Sequence, residues 1–259
     1  MKLAILGAGN MGGAIAKGLV RAGAVRPEEI LFAHPHNGLP AELAQEGFRS
    51  VLSNEEAVQG ASVVFVAVKP YLVSQILQPL ARELAPGTVL ISVAAGVTLA
   101  DLREDLSRSR EVQIVRAMPN TAVGLCTGVT ALAAETEAGL KAAKELFDHL
   151  GLAFEFPEER FSAITALSGC GIAHALRFLR AGQSAGLQMG IPAGLSGEIF
   201  AQVMMGAAAL VLRSGNHPET EVDRVCTPGG LTIRGLNVME AKGFTGAVVQ
   251  GLLASLPEK

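Results

Sequence analysis

Two short runs in this chain have the residue types and spacing to hold an anion. The first, Gly7-Ala8-Gly9-Asn10-Met11-Gly12, has the spacing G-x-G-x-x-G. Between a strand and a helix, its first glycine makes the turn and its second lets a pyrophosphate approach the backbone. The third lets the helix pack on the strand. The second run, residues 226–236, reads Cys-Thr-Pro-Gly-Gly-Leu-Thr-Ile-Arg-Gly-Leu. Pro228 to Gly230 predict a tight turn that opens into a helix beginning near Thr232. Such a corner leaves backbone N–H groups unpaired and aimed at one spot, which suits a carboxylate. The Thr232 hydroxyl adds a donor or acceptor beside it. A plain turn and helix cap is the competing reading of a Pro-Gly-Gly taken alone.

The elements that must position these runs can be read in order. Residues 2–6 predict a strand ahead of the first glycine, and an Ala-rich helix follows to about Ala22. Further strands are expected at Glu29–Ala33, Arg49–Leu52, Ser62–Val68, Val89–Val93, Val112–Arg116, Thr127–Leu132 and near Ala153–Phe156. Helical patterns fall at Ala41–Glu46, Glu55–Gln59 and Glu137–Leu150. The β-branched run Ser62–Val68 suits a strand buried on both faces. This alternation predicts an α/β fold, a Rossmann-type doubly wound and mainly parallel sheet. After Pro157 only helical patterns remain, over 160–167, 171–186, 193–213, 219–225, 232–242 and 244–255. The expected organisation is a dinucleotide-binding domain over 1–156 and an all-helical domain for substrate binding and dimerisation over 157–259.

Open α/β sheets bind ligands at the carboxyl ends of their strands. Lys69-Pro70, Ala94-Ala95-Gly96 and Asn120 stand at or just beyond three such ends. The second strand ends in His34-Pro35-His36-Asn37, without the Asp or Glu that would favour NAD. No carboxylate there repels a 2′-phosphate, and His34 or His36 can donate to it. The expected cofactor is therefore NADPH, with NADH as the alternative; a surface turn with incidental histidines is the plainer reading. Asn54 is expected first as a helix N-cap and second as an adenosine contact.

Composition narrows the class. Hydrophobic residues make up 49% of the chain and charged ones only 17%, so much surface must be covered. Ile199–Leu212 is apolar nearly all round, broken by Gln202. A helix of that kind is buried on all sides, which predicts a homodimer. No uninterrupted apolar run reaches the roughly 20 residues of a membrane span, and the first apolar segment is too short for a signal peptide. A net charge of −3 gives no general attraction to nucleic acid. Cys126, Cys170 and Cys226 are an odd, scattered set without metal spacing, as expected of free thiols in the cytoplasm.

A nucleotide domain joined to a helical domain with an anion corner suggests an oxidoreductase acting on a small carboxylate. On a similarly placed helix, β-hydroxyacid dehydrogenases carry a catalytic lysine where this chain has Ala175. Alcohol oxidation therefore lacks its base. Reduction of a C=N bond is less demanding, because an iminium already carries the charge that attracts hydride. Such a site needs positioning, a carboxylate grip and one hydroxyl near nitrogen.

Seven stretches, in order, resemble the pyrroline-5-carboxylate reductase family: 7–19, 66–70 (VAVKP), 92–97 (SVAAGV), 116–121 (RAMPNT), 165–171 (TALSGCG), 214–218 (SGNHP) and 227–236 (TPGGLTIRGL). The resemblance implies a Rossmann domain and a helical domain intertwined in a dimer, often assembled into a ring of dimers. The implied reaction is hydride transfer from NAD(P)H to the imine carbon of pyrroline-5-carboxylate, a cyclic imino acid, giving L-proline as the last step of proline biosynthesis. It further implies that Gly7 to Gly12 hold the pyrophosphate, and that His34, His36 and Asn54 meet the adenosine end. Val68, Lys69, Pro70, Ala94, Ala95, Gly96 and Asn120 would flank the ribose and nicotinamide. Gly230, Leu231 and Thr232 would hold the substrate carboxylate, with the Thr232 hydroxyl facing the ring nitrogen and Glu158 near the substrate. Lys69 could also be read as a general acid; the cofactor side is the preferred reading.

The departures from the family pattern lie together. Ser162 stands in place of a usual aspartate, and Ile172 and His174 replace a proline and a tyrosine. His174 either packs at the subunit interface or reshapes the pyrroline pocket. These departures keep two alternatives in view: a reductase of a related cyclic imino acid, and a nucleotide-binding paralogue without activity.

Overall fold

The structure, a computed structural model, describes residues 1–33 and 38–257. In chain order the first part runs β1 Leu3–Leu6, α1 Asn10–Arg21, β2 Ile30–Ala33, α2 Ala41–Gln45, β3 Arg49–Val51, α3 Asn54–Val58, β4 Val63–Val66 and α4 Val73–Leu80. It continues with β5 Val89–Ser92, α5 Leu99–Asp105, β6 Gln113–Pro119, β7 Gly128–Ala134, α6 Glu137–Asp148 and β8 Gly151–Glu155. After a 3-10 turn, Glu158–Arg160, come α7 Phe161–Ile164 and a π-helical stretch, Thr165–Cys170. The last helices are α8 Gly171–Gln188, α9 Ala193–Ser214, α10 Pro218–Val225, α11 Leu231–Ala241 and α12 Phe244–Leu253.

The strands form one sheet in the order β3-β2-β1-β4-β5-β6-β7-β8. All neighbours pair parallel except β6 and β7. The short connection across residues 120–127 explains the exception, because a parallel return needs a crossover of a dozen or more residues. Alternate residues of each inner strand feed opposite faces. Leu3, Ile5, Val63 and Phe65 pack with α1 and α6 residues such as Ile15, Leu19 and Phe147. Ala4, Leu6, Val64 and Val66 pack with Leu77, Leu80 and Leu102 of α4 and α5. Full burial of one such side chain contributes about 1.5–3 kcal/mol, and this double-faced burial is why these strands read as continuous apolar runs.

Two details differ from the sequence expectation. Ser53, not Asn54, caps α3: its hydroxyl accepts from the Glu56 N–H at 3.3 Å while its own backbone is extended. Helices α4 and α5 are additional to the expected ones.

The chain divides into two compact units, Met1–Gly169 and Cys170–Lys259. Residues 158–169 belong with the sheet because Phe161, Ile164 and Ala166 are buried, the first two against Met118, Ala131 and Ala133. The second unit is helical and apolar on its outside. In α9 only Ser196 is buried, and Leu212 is 83% exposed in the single chain. Phe178 contacts both Phe200 and Phe244, with ring centroids 5.5 and 5.6 Å apart, joining α8, α9 and α12. Taken as whole helices, Glu158–Gln188 and Ala193–Ser214 are long and apolar enough to cross a membrane by length and composition. Polar residues punctuate both, so neither holds an uninterrupted apolar run of that length.

Candidate active site

Strand order reverses around β1, whose neighbours are β2 and β4, and the crevice at such a point is where open α/β sheets bind nucleotides. The glycine run turns there. Gly7 has φ +106°, and a Cβ on it would lie 2.7 Å from the Ala67 carbonyl oxygen. A Cβ on Gly12 would lie 2.2 Å from the Gly7 carbonyl oxygen and 3.1 Å from Ile5 Cγ2. A Cβ on Gly9 would meet nothing within 4 Å. The first and third glycines are thus demanded by the protein's own packing. The second leaves an open face at the start of α1, the cradle that an approaching pyrophosphate needs. The first intrahelical bond of α1 is Gly13 N–H to the Gly9 carbonyl at 2.9 Å, so the N–H groups of Asn10, Met11 and Gly12 have no intrahelical acceptor. The residues present therefore fit a dinucleotide.

The parallel register brings the remaining residues expected on the cofactor side of the sheet to the same edge. Val68 lies against Gly7, with Cγ1 3.0 Å from where a Gly7 Cβ would stand. Lys69 and Pro70 are exposed and begin a 3-10 turn, Pro70–Leu72. Ala94 is buried, and its N–H donates to the Ser92 hydroxyl at 3.4 Å, while Ala95 and Gly96 are exposed beyond it. Asn54 opens α3 on the same side of the sheet, beyond β3. His34 and His36 lie outside the described residues.

Two expected site residues are heavily engaged by the protein itself. Asn120, 5% exposed, accepts through Oδ1 from the N–H groups of Ala122 at 3.2 Å and Val129 at 3.3 Å. It donates through Nδ2 to the Ser168 carbonyl at 3.3 Å, which leaves one amide hydrogen for anything else. Glu158 Oε1 accepts from Arg116 Nη1 at 3.0 Å and from the Leu99 N–H at 2.7 Å. Arg116, 7% exposed, also stands 4.8 Å above the Phe161 ring, and its Nε has no partner. Sequence reasoning passed over Arg116. The signal was present, because an arginine inside an apolar strand must be paired when buried.

The second unit holds the Pro-Gly-Gly corner. The Gly230 N–H donates to the Thr227 carbonyl at 2.9 Å across Pro228 and Gly229, and Gly229 has φ +71°. Proline followed by a glycine with positive φ is the pattern of a type II turn. Gly230 is then the N-cap of α11, and no side chain caps the helix. The expectation counted the Gly230 N–H among the free donors, but the turn uses it. The N–H groups of Leu231, Thr232 and Ile233 are the ones left without intrahelical acceptors. Leu231 and Thr232 are exposed in the single chain. The loop before α10 is fixed by Glu221, 9% exposed, which accepts from Asn216 at 2.8 Å and from Arg224 at 2.8 and 3.0 Å. Hydrogen bonds from Asn216, then Ser214 and Arg224, hold its carboxyl below the usual carboxylate range. Among the described residues no group of three metal-ligating side chains occurs.

Comparison with known proteins bears on both units. Residues 158–258 match the family model for pyrroline-5-carboxylate reductase dimerisation, so the chain carries a dimerisation domain of that kind. Residues 2–96 match the model described as NADP oxidoreductase coenzyme F420-dependent. Pyrroline-5-carboxylate reductase 1 of Dictyostelium discoideum is 36% identical over 98% of this chain, which spans 48% of that protein's length. Pyrroline-5-carboxylate reductase 3 of Danio rerio is 35% identical over 98% of this chain and 89% of its own length. The NADP-bound crystal structure of Plasmodium falciparum pyrroline carboxylate reductase superposes with a TM-score of 0.86 at 27% identity, covering 98% of this chain and 95% of that one. The Streptococcus pyogenes 1-pyrroline-5-carboxylate reductase structure gives 0.80 at 29%, covering 98% and 96%. Likeness at this level extends through both units and leaves neither without a counterpart: the chain belongs to the pyrroline-5-carboxylate reductase family.

Proposed function

We propose that this protein reduces 1-pyrroline-5-carboxylate to L-proline with NADPH. The observation that carries the reading is the uncapped start of α11 behind the Pro-Gly-Gly turn. Three backbone donors there fit a carboxylate, and the hydroxyl of Thr232 fits a ring nitrogen beside it. NADPH supplies the hydride that adds to the imine carbon. Gly7, Ala8, Gly9, Asn10, Met11 and Gly12 would hold its pyrophosphate at the start of α1, where N–H groups and the helix dipole favour negative charge. Val68, Lys69, Pro70, Ala94, Ala95 and Gly96 would flank its ribose and nicotinamide with Asn120 behind them, and Asn54 its adenosine end. NADPH over NADH is supported by the acid-free sequence His34-Pro35-His36-Asn37.

On the substrate side, the N–H groups of Leu231 and Thr232 bind the carboxylate, and Gly230 gives the corner its shape. Thr232 orients the nitrogen, which arrives protonated or takes its proton through water. No strong acid is needed on the chain, in keeping with Ala175 at the helix position where a lysine would serve alcohol chemistry. Glu158 would stand near the substrate, as the family resemblance implies, with its carboxylate held by Arg116 and the Leu99 N–H.

Residues 157–259 act as the substrate-binding and dimerisation domain. Their exposed apolar helices face a second copy of the chain rather than lipid, a reading supported by the dimerisation match over 158–258. The resulting homodimer is the unit from which a ring of dimers would be built. Three free cysteines fit a reducing, cytoplasmic setting, and the small negative charge fits a protein that does not bind nucleic acid.

The test is NADPH oxidation with pyrroline-5-carboxylate, with proline measured as product, in the parent and in Thr232→Ala. Turnover that falls at least about tenfold in kcat/KM in the variant, roughly 1.4 kcal/mol of transition-state stabilisation, supports both reaction and corner. Turnover unchanged by the substitution removes Thr232 from the account. A six-membered cyclic imine turned over in preference would favour the related-substrate reading that Ile172 and His174 motivate. Cofactor binding with no turnover of either ring would favour the inactive paralogue.

A further inference from the structure

We infer that Asn120 is a positioning residue for the reduction, acting through the backbone carbonyl of Ser168 and not by contact with the reactants. The inference rests on the reductase reading. Arg116 and Met118 share one face of β6, Asn120 continues the alternation one residue past the strand end, and each meets the segment that follows β8. Arg116 takes Glu158 at 3.0 Å and covers the Phe161 ring, Met118 packs with Phe161 and Ile164, and Asn120 donates to Ser168. These are three successive rungs, and Asn120 is the one at the carboxyl edge of the sheet, just past β6, whose parallel pairing with β5 runs to Ser92 and Arg116, two residues before Ala94.

The chemistry of the last rung is specific. Two backbone N–H groups point at the same atom of the Asn120 side chain, which fixes that atom as the amide oxygen and the other as the donor. The donor is aimed at a carbonyl inside the π-helical stretch Thr165–Cys170. Single π turns leave backbone groups out of register with their usual partners and are frequent at functional sites. Within that stretch, side chains already engage neighbouring carbonyls: Thr165 donates to Phe161 and Ser168 to Ile164, both at 2.9 Å. Asn120 is the cross-link from outside. It ties the shape of the π turn to the strand end where the nicotinamide would lie.

The substitution Asn120→Asp tests this cleanly. An ionised aspartate keeps both acceptor bonds but turns an oxygen toward the Ser168 carbonyl, so the rung becomes a repulsion. A protonated aspartate restores one donor and one acceptor in nearly the same shape. The charged and titratable groups on the elements packed around this position include Arg116, paired with Glu158, on the same strand side, Arg21 of α1, bonded to the Gly124 carbonyl in the turn 121–125, Cys126 after that turn, and Cys170 at the end of the π stretch; β7 has none. Burial and the facing carbonyl both raise the new carboxyl above its ordinary range.

The measurements are kcat and KM for pyrroline-5-carboxylate, the NADPH dissociation constant, and hydrogen exchange over residues 161–171, for parent, Asn120→Asp and Asn120→Ala at pH 5.5 and 8.5. At the higher pH, kcat of Asn120→Asp relative to the parent is expected to fall about tenfold, with NADPH affinity changed less than about threefold and faster exchange over 165–170. At the lower pH that ratio should recover severalfold in Asn120→Asp but not in Asn120→Ala. Absence of this pH-linked recovery, or a loss confined to NADPH affinity with exchange unchanged, overturns the inference. So does an Asn120→Asp protein that is unfolded at both pH values. If the parent itself turns over no imine, the reductase reading fails separately, and unaltered exchange over 165–170 in the variants still decides against the rung.

Discussion

Replacing Gly9 and Gly12 one at a time by alanine should separate ligand binding from folding within a single hexapeptide. Gly9 has φ −78° and ψ −173°, ordinary extended backbone, and its Cβ would meet no protein atom within 4 Å. Alanine is worse than glycine at an N-cap by up to about 1 kcal/mol, while the smaller unfolded-state entropy returns about 0.4–1 kcal/mol. Folding of Gly9→Ala should therefore stay within about 1 kcal/mol of the parent, a shift of at most a few degrees in Tm. The new methyl would stand on the face offered to the pyrophosphate. Displacing the phosphate by about a methyl radius forfeits at least one charge-assisted bond to the free N–H groups of α1, about 1.5–3 kcal/mol. The NADPH dissociation constant should rise about 10- to 150-fold. Gly12→Ala is the opposite case, because its Cβ would lie 2.2 Å from a backbone oxygen. Overpacking of that kind destabilises by about 1–3 kcal/mol or more, and Tm should fall by several degrees whether or not nucleotide is present. Titration calorimetry for binding and thermal unfolding for stability distinguish the two. A Gly9→Ala protein that binds NADPH like the parent would refute the placement of the pyrophosphate on this turn.

Three shorter predictions concern the scaffold. Arg116→Met leaves Glu158 without its buried partner, and loss of about 3 kcal/mol should lower Tm by roughly 6–12 °C; an unchanged Tm would mean the pair is neutral. Because the Glu221 carboxyl is held below its ordinary pKa, its contribution is complete above the unfolded value of about 4.3 and is lost as pH falls through the lowered folded value. Melting curves from pH 6 to pH 3 should therefore fall more steeply for the parent than for Glu221→Gln, and equal slopes would count against the clasp. Met205 is 65% exposed in the single chain, so Met205→Glu places like charges across the proposed dimer. Sedimentation should show a species of one chain's mass, and an intact dimer would move the interface elsewhere on the helical unit.

Most of the fold was legible because its inner strands are buried on both faces. Val63–Val66 and Val89–Ser92 are apolar at every position but Ser92, and the turn glycines mark where they meet helices. Helices α4 and α5 were harder to see. Both are short, and Pro79 interrupts the pattern of the first. The N-cap of α3 was misplaced by one residue because Ser53 and Asn54 are both good caps, and only backbone geometry chooses between them. At the site, the turn role of Gly7 and the packing role of Gly12 were written in their spacing, and a Cβ at either position would meet backbone as that spacing implies. The engagement of the Gly230 N–H by Thr227 was not legible, since it depends on the turn closing across Pro228 and Gly229. Long-range partners were equally hidden. Nothing local in Asn120 or Arg116 announces Ser168 or Glu158, which lie 48 and 42 residues away along the chain.

The proposed reaction is hydride transfer from NADPH to the imine carbon of pyrroline-5-carboxylate. NADPH deuterated at the transferring position, with the label then located in the product, checks it at the reacting atom. Proline should carry one deuterium on C5, the ring carbon that was doubly bonded to nitrogen, and no label elsewhere. Unlabelled proline, or oxidation of the cofactor with no proline formed, would contradict it.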